Sequence, residues 1–342
     1  MTAPVKSTVV GAQSGVQDLT IGKALNLALR TAMESDERVL LMGEDVGKLG
    51  GVFRITDGLQ KDFGEHRVLD TPLAESGIIG TAIGLAMHGF RPVCEIQFDG
   101  FIFPAYDQIV SQLAKLHYRS QGRVRMPVVI RVPFGGGIGA VEHHSESPES
   151  LFAHVAGLKV VACSNPADAY WMLQQAIACD DPVLFFEPKR YYHSGKLKAP
   201  VDPTATPDPL FTSRVVREGT AATLVSYGPS MQVCLDAATA VAGEGTLLEV
   251  IDLRSLSPLD LAPVFASVRR TGRLVAVSEA PPESSITSEI AARVQQECFY
   301  SLEAPVLRVT GFDTPYPPAK VEEYFLPDLD RVLHAVDRSL AW

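Results

Sequence analysis

The 342-residue chain is 46% hydrophobic, 20% charged and 8% aromatic, the composition of an ordinary folded protein rather than a disordered or fibrous one. At roughly 100 to 200 residues per domain, its length implies about two domains. A formal net charge of −10 without any long basic run excludes a phosphate-backbone binder, so no nucleic acid is expected as a partner.

The opening MTAPVKSTVVGAQSGVQ carries a single Lys and no apolar core, and residues 1–17 read as a flexible N-terminal tail rather than a secretory signal. No apolar run approaches the roughly 18 residues of a membrane span. The expected location is therefore cytoplasmic, with no membrane partner. A mitochondrial matrix location would require a processed transit peptide, and nothing here is Arg-rich and amphipathic. The five cysteines are scattered, odd in number and form no CxxC pair, which argues against a disulfide framework or a zinc site.

From Leu19 onward, β-branched runs alternate with helical patterns: RVLLMG from Arg38, RPVCEIQF from Arg91, PVVIRVPF from Pro127, LKVVAC from Leu158 and PVLFFEPK from Pro182. Their nearly continuous apolar character suits strands buried on both faces of a mainly parallel sheet, an α/β architecture over residues 18–195. The stretch His193–Pro209, HSGKLKAPVDPTATPDP, shows neither period and reads as a linker, placed at 196–212. Alternation resumes in AATLVSYG, TLLEVIDLRSL, RLVAVSEA and APVLRVTG, with helices beginning near Pro229, Asp260 and Ser284. Residues 213–342 thus form a second, smaller α/β domain.

Chemistry can sit at three stretches of the first domain. In DTPLAESGIIGTAIGLAMHG, Asp70 ends a strand, Pro72 marks a turn and Glu75 opens an apolar helix studded with Gly77, Gly80 and Gly84. An acid at a helix start can be simply a cap, stabilised by free N–H groups. The small residues that follow permit close packing, which would partly desolvate the carboxylate and push its pKa upward. In EIQFDGFIFPAYDQIVSQLAK, a strand runs into a helix through the Asp99–Gly100 turn. This puts Phe101 near a strand end, where sheets of this class bind ligands, although aromatic clusters are more commonly core. In PFGGGIGAVEHHSESPESLFAH, a glycine-rich loop leads to His143 and His144 and then to a Ser-Pro-Glu helix start. The loop matches neither a phosphate-binding nor a dinucleotide-binding fingerprint. Adjacent histidines diverge, so a metal pair is not expected, while either can serve as acid, base or anion contact near neutral pH.

TPLAESGIIGTAIGLA, EIQFDGFIFPAYDQIVSQLAK, HHSESPE, GLKVV, DPVLFFEPKRYY and DTPYPPAKVEEYFLP occur in one order, and together they resemble the β subunit of the 2-oxoacid dehydrogenase complexes. The resemblance runs from about Asp18 to the C-terminus and implies a thiamine-diphosphate pyrimidine-binding domain followed by a transketolase C-terminal-like domain. It implies that Glu75 is the carboxylate bonded to the pyrimidine ring of thiamine diphosphate. That contact drives the tautomer change by which the cofactor deprotonates its own thiazolium carbon. Leu73 is implied as a pyrimidine contact. Phe101 stands where many members have a stacking Tyr, so here stacking must suffice without a hydroxyl. His144 matches an active-site histidine near the substrate and the lipoyl entrance, with the adjacent His143 leaving the alignment open by one position. Asp181 is implied as a ligand of a structural monovalent cation such as K⁺, with a solvated helix end as the plainer reading.

The chain lacks the GDG motif that binds the diphosphate through Mg²⁺. The resemblance assigns that motif to an α subunit, making the partners an α subunit in an α2β2 heterotetramer and a lipoylated acyltransferase core. The implied reaction is oxidative decarboxylation of a 2-oxoacid with acyl transfer to a lipoyl group. HHSESPE favours a branched-chain acid such as 3-methyl-2-oxobutanoate, with pyruvate as the alternative. A stand-alone transketolase-like enzyme would need the diphosphate motif on this chain. A noncatalytic assembly or docking subunit would have no need of Glu75.

Overall fold

A computed structural model describes residues 15–342. The expected 1–17 tail lies largely outside the described residues, and Gln17 already belongs to a strand. In chain order the first half contributes β1 (Gln17–Leu19), β2 (Val39–Gly43), β3 (Val68–Asp70), β4 (Arg91–Glu95), β5 (Val129–Phe134), β6 (Lys159–Ala162), β7 (Val183–Pro188) and β8 (Ala199–Val201). The second half contributes β9 (Arg214–Arg217), β10 (Ala222–Ser226), β11 (Leu248–Asp252), β12 (Ser255–Ser257), β13 (Leu274–Val277) and β14 (Leu307–Val309).

The strands form a seven-stranded sheet in the order β12-β6-β7-β5-β4-β2-β3, a five-stranded sheet in the order β14-β13-β10-β11-β9, and the antiparallel pair β1-β8. Within the larger sheet every pairing among β2 to β7 is parallel. The α/β expectation therefore holds, and burial of both faces explains why these strands read as apolar runs rather than alternating ones. Met42, Cys94, Ile130, Val160 and Leu184 gather with the helix Glu75–Met87 on one face. The intervening Leu41, Val93, Val129, Val161 and Val183 pack under the helices Ile21–Ser35 and Pro166–Ala178 on the other. The period of two along each strand sends neighbouring residues to opposite faces.

The halves are joined more closely than a linker suggests. β8 falls within the expected linker and pairs with β1, a three-residue strand too short to show a period. β12 leaves the second half to add an antiparallel edge to the first sheet beside β6. The apolar core under the helix Glu75–Met87 continues into the second half through Val225, Tyr227, Ile251 and Leu253. Polar groups cross the same seam: Arg254 and Arg214 both reach Asp168, and the Tyr227 hydroxyl donates to the buried carboxyl of Glu149 at 2.6 Å. The C-terminal helix Leu329–Leu340, absent from the sequence reading, covers the smaller sheet with Val332, Ala335 and Val336.

One ionic cluster is embedded among the apolar strands. Arg131 on β5, 1% exposed, donates to both oxygens of Glu187 on β7 at 2.7 and 2.8 Å and to Glu95 on β4 at 2.7 Å. Removing the guanidinium strands two buried carboxylates, so Arg131→Met should destabilise the fold by about 3–5 kcal/mol in denaturant melts. A loss below about 1 kcal/mol would show that the cluster is solvated in solution.

Burial pushes the Glu149 carboxyl up to about 7. A raised value means that the folded state holds the proton more tightly than the unfolded chain, so stability is lost as pH rises from about 4.5 to 7, by roughly 3 kcal/mol. Glu149→Gln should flatten that part of the stability–pH curve. Identical curves for the two proteins would refute the assignment.

Candidate functional site

The C-terminal ends of β3, β4, β5 and β7 carry the segments singled out in the sequence. After β3 the turn Thr71–Ala74 delivers Glu75 as the first residue of its helix, with no side-chain cap, so this carboxylate is the acidic group of the first turn. Glu75 is half-buried, less enclosed than expected, because the same end of the helix is open: Leu73 is 82% exposed. A second carboxylate missed in the sequence, Glu44 just beyond β2, stands beside it. Glu44 is 4% exposed, and neither of its oxygens has a hydrogen-bond partner. Burial, then the charges of Glu75 and Asp45, push Glu44 toward its protonated form. The nearby Ala74 N–H opposes this. The signal for Glu44 is an acid directly after an apolar strand, a position also common for turn residues.

Beyond β4 the chain does not enter an α-helix directly. It makes a 3-10 helix, Asp99–Ala105, then a π-helical stretch, Gln108–Leu113, before the α-helix Ala114–Arg119. Pro104, which lacks an N–H, disfavours a continuous α-helix through the aromatic turn. The turn is fixed by a fully buried ion pair between Asp99 and Lys189, the residue following β7. Asp99 also accepts the Glu146 N–H at 2.7 Å. Burial pushes the Asp99 carboxyl up and the Lys189 amine down, and their mutual contact opposes both shifts. Gly100 is required where it stands, since a Cβ there would lie 2.6 Å from the His143 carbonyl oxygen.

This packing brings Phe101 and His144 together. Their ring centroids are 5.2 Å apart, and Phe98 meets His144 edge-on at 4.2 Å. His144 is half-buried, its Nδ1 has no hydrogen-bond partner, and burial followed by the Lys189 charge lowers its pKa. Both effects favour the neutral ring, which can accept a proton. His143 instead points outward, its side chain 64% exposed and its Nδ1 3.2 Å from Glu142. The helix Glu75–Met87 packs on the 3-10 helix that carries Phe101, so the Glu75 and Phe101 segments share one face of the sheet.

Asp181 lies elsewhere, past the helix Pro166–Ala178. Its carboxylate faces the Lys159 ammonium at 3.7 Å. The carbonyls of Ile177 and Cys179 accept the Arg91 guanidinium, and that of Asp180 accepts the Met126 N–H. Each of these carbonyl oxygens accepts a donor of the chain itself. Among the described residues, no cluster of three His, Cys, Asp or Glu side chains is arranged to hold a metal, and no helix is long and apolar enough to cross a membrane.

The chain matches two family models, "Transketolase, pyrimidine binding domain" over residues 17–194 and "Transketolase, C-terminal domain" over residues 212–332. It is 62% identical over 328 residues to the pyruvate dehydrogenase E1 component subunit beta of Leifsonia xyli, covering 96% of each chain. It is 53% identical to the 3-methyl-2-oxobutanoate dehydrogenase subunit beta of Mycobacterium tuberculosis, covering 98% of this chain and 96% of the relative. It is 46% identical to the 2-oxoisovalerate dehydrogenase subunit beta of Pseudomonas aeruginosa, covering 91% and 92%. A solved structure described as "Split gene transketolase, inactive beta4 tetramer" shares the fold, with a TM-score of 0.76 at 23% identity over 95% of this chain and 99% of that one. With thiamine diphosphate the cofactor implied by the pyrimidine-binding domain, the chain belongs to the β subunits of the 2-oxoacid dehydrogenase E1 component, lipoyl-transferring oxidoreductases.

Proposed function

We propose that this chain is the β half of an α2β2 enzyme that decarboxylates pyruvate and passes the acetyl unit to a lipoyl group on an acyltransferase core. The observation that carries the reaction class is Glu75, a half-exposed carboxylate at the uncapped start of a small-residue helix, on the same sheet face as Phe101 and His144. The choice of acid rests on similarity: the relative at 62% identity is named for pyruvate, those at 53% and 46% for branched-chain acids. Pyruvate therefore replaces the branched-chain preference drawn from HHSESPE. 3-methyl-2-oxobutanoate is the second reading, supported by that motif.

The residues fit the pyrimidine end of thiamine diphosphate, which when bound supplies the carbanion chemistry. Glu75 holds a proton at the pyrimidine ring nitrogen, Phe101 offers a flat face for stacking and Leu73 an apolar contact. His144, its neutral form favoured, can accept a proton where the acyl unit leaves. The diphosphate and its Mg²⁺ fall to the α subunit, because this chain has no GDG motif. An exposed apolar face supports such a partner. Along the Glu75 helix, added Cβ atoms at Gly80 and Gly84 would meet nothing within 4 Å, and Leu73 and Met87 are 82% and 58% exposed. A helix apolar around most of its circumference is normally covered.

Co-expression with an α subunit carrying GDG should yield thiamine-diphosphate-dependent decarboxylation, faster with pyruvate than with 3-methyl-2-oxobutanoate, while this chain alone turns over neither. Turnover by the lone chain would refute the shared site, and the reverse preference would restore the branched-chain reading. In the assembled enzyme Glu75→Gln should lower kcat by about 100-fold or more with the tetramer intact by sedimentation. Unchanged turnover removes Glu75 from the mechanism. Replacing K⁺ by choline should lower the melting temperature if a cation is bound at Asp181, and an unchanged value would remove it.

A further inference from the structure

The glycine-rich loop between β5 and His144 is held by the other domain. At its base the Gly135 N–H donates to the Glu146 carbonyl at 2.9 Å, closing the segment 135–146. Along its length the Gly136 N–H donates to Glu279 Oε2 at 3.0 Å and the Gly139 N–H to Glu322 Oε1 at 2.9 Å. The Gly137 N–H is shared by Tyr316 Oη and Glu322 Oε2, each at 3.2 Å, and the Tyr316 hydroxyl donates to that same Glu322 oxygen at 2.9 Å. Glu279 is in turn paired with Arg190, two residues past β7.

Successive N–H groups of a glycine loop form a cradle for an anion. In this chain the cradle is filled from within, by carboxylates from the second domain that are 5% and 9% exposed. The contact also dictates glycine: a Cβ at Gly136 would fall 1.9 Å from the Tyr316 hydroxyl oxygen. The loop so anchored ends in His144, lodged between Phe98 and Phe101.

We propose that Glu322 is a positioning residue, which with Tyr316 fixes the loop 135–146 from the second domain and so holds His144 in place for acyl transfer. The inference rests on the reading of His144 given above. Glu322 touches no reacting group. Its carboxylate accepts two N–H bonds and one O–H bond, and an amide in its place offers a single acceptor oxygen.

The test uses the assembled α2β2 enzyme with Glu322→Gln and, as a gentler change, Tyr316→Phe. Amide exchange of the peptide spanning Gly135–His144 should quicken by about tenfold in Glu322→Gln and less in Tyr316→Phe, as expected when charge-assisted bonds are lost. The kcat/KM for a lipoyl-domain acceptor should fall by about tenfold, while decarboxylation into an artificial electron acceptor falls by no more than about twofold. Unchanged loop exchange overturns the proposal. So does a parallel fall of both half-reactions, the mark of a merely structural role. If the wild-type assembly decarboxylates no 2-oxoacid, the functional reading fails separately, and the exchange measurement alone decides whether Glu322 holds the loop.

Discussion

The candidate site depends first on the buried ion pair between Asp99 and Lys189. Neither side chain touches solvent, so each charge relies on the other and on nearby donors for what water would have supplied. Asp99 meets this demand by also accepting the Glu146 N–H. Three segments far apart in sequence are thereby drawn to one point: the aromatic turn with Phe101, the end of β7, and the stretch just past His144. The pair also colours the chemistry nearby, since the Lys189 charge adds to burial in favouring the neutral form of His144.

Around that point the molecule separates rigid support from open surface. The Arg131 cluster ties β4, β5 and β7 together close to the ends from which the site segments emerge. The aromatic series Tyr192, Phe53, Phe98 and Phe101 continues the packing to His144. By contrast, the start of the Glu75 helix is exposed on its outer side, with Leu73 projecting and glycines along the helix leaving room for another backbone. A carboxylate at such a rim can be enclosed by a second chain without any rearrangement of the first.

The second domain contributes more than a covering layer. It shares the core beneath the Glu75 helix, lends β12 to the first sheet, and places Tyr227, Glu279, Tyr316 and Glu322 against first-domain groups. The glycine loop, which matches no phosphate-binding fingerprint in sequence, is occupied by the protein's own acids, a use of backbone donors that stiffens a loop instead of binding phosphate.

By itself the sequence determined the two-domain α/β architecture, the strand–turn–helix that begins with Glu75, and the aromatic turn at Phe101. Those features are written in periodicity and turn chemistry over a few neighbouring residues. Tertiary structure alone decided which of two adjacent histidines is enclosed, where β8 and β12 pair, that Glu44 stands beside Glu75, and that Asp181 faces Lys159. The Gly137–Glu322 contact, spanning 185 residues, leaves no local pattern at either end. Each of these outcomes depends on packing between distant segments, and a buried charge or a bare N–H takes its meaning from whichever partner the fold brings to it.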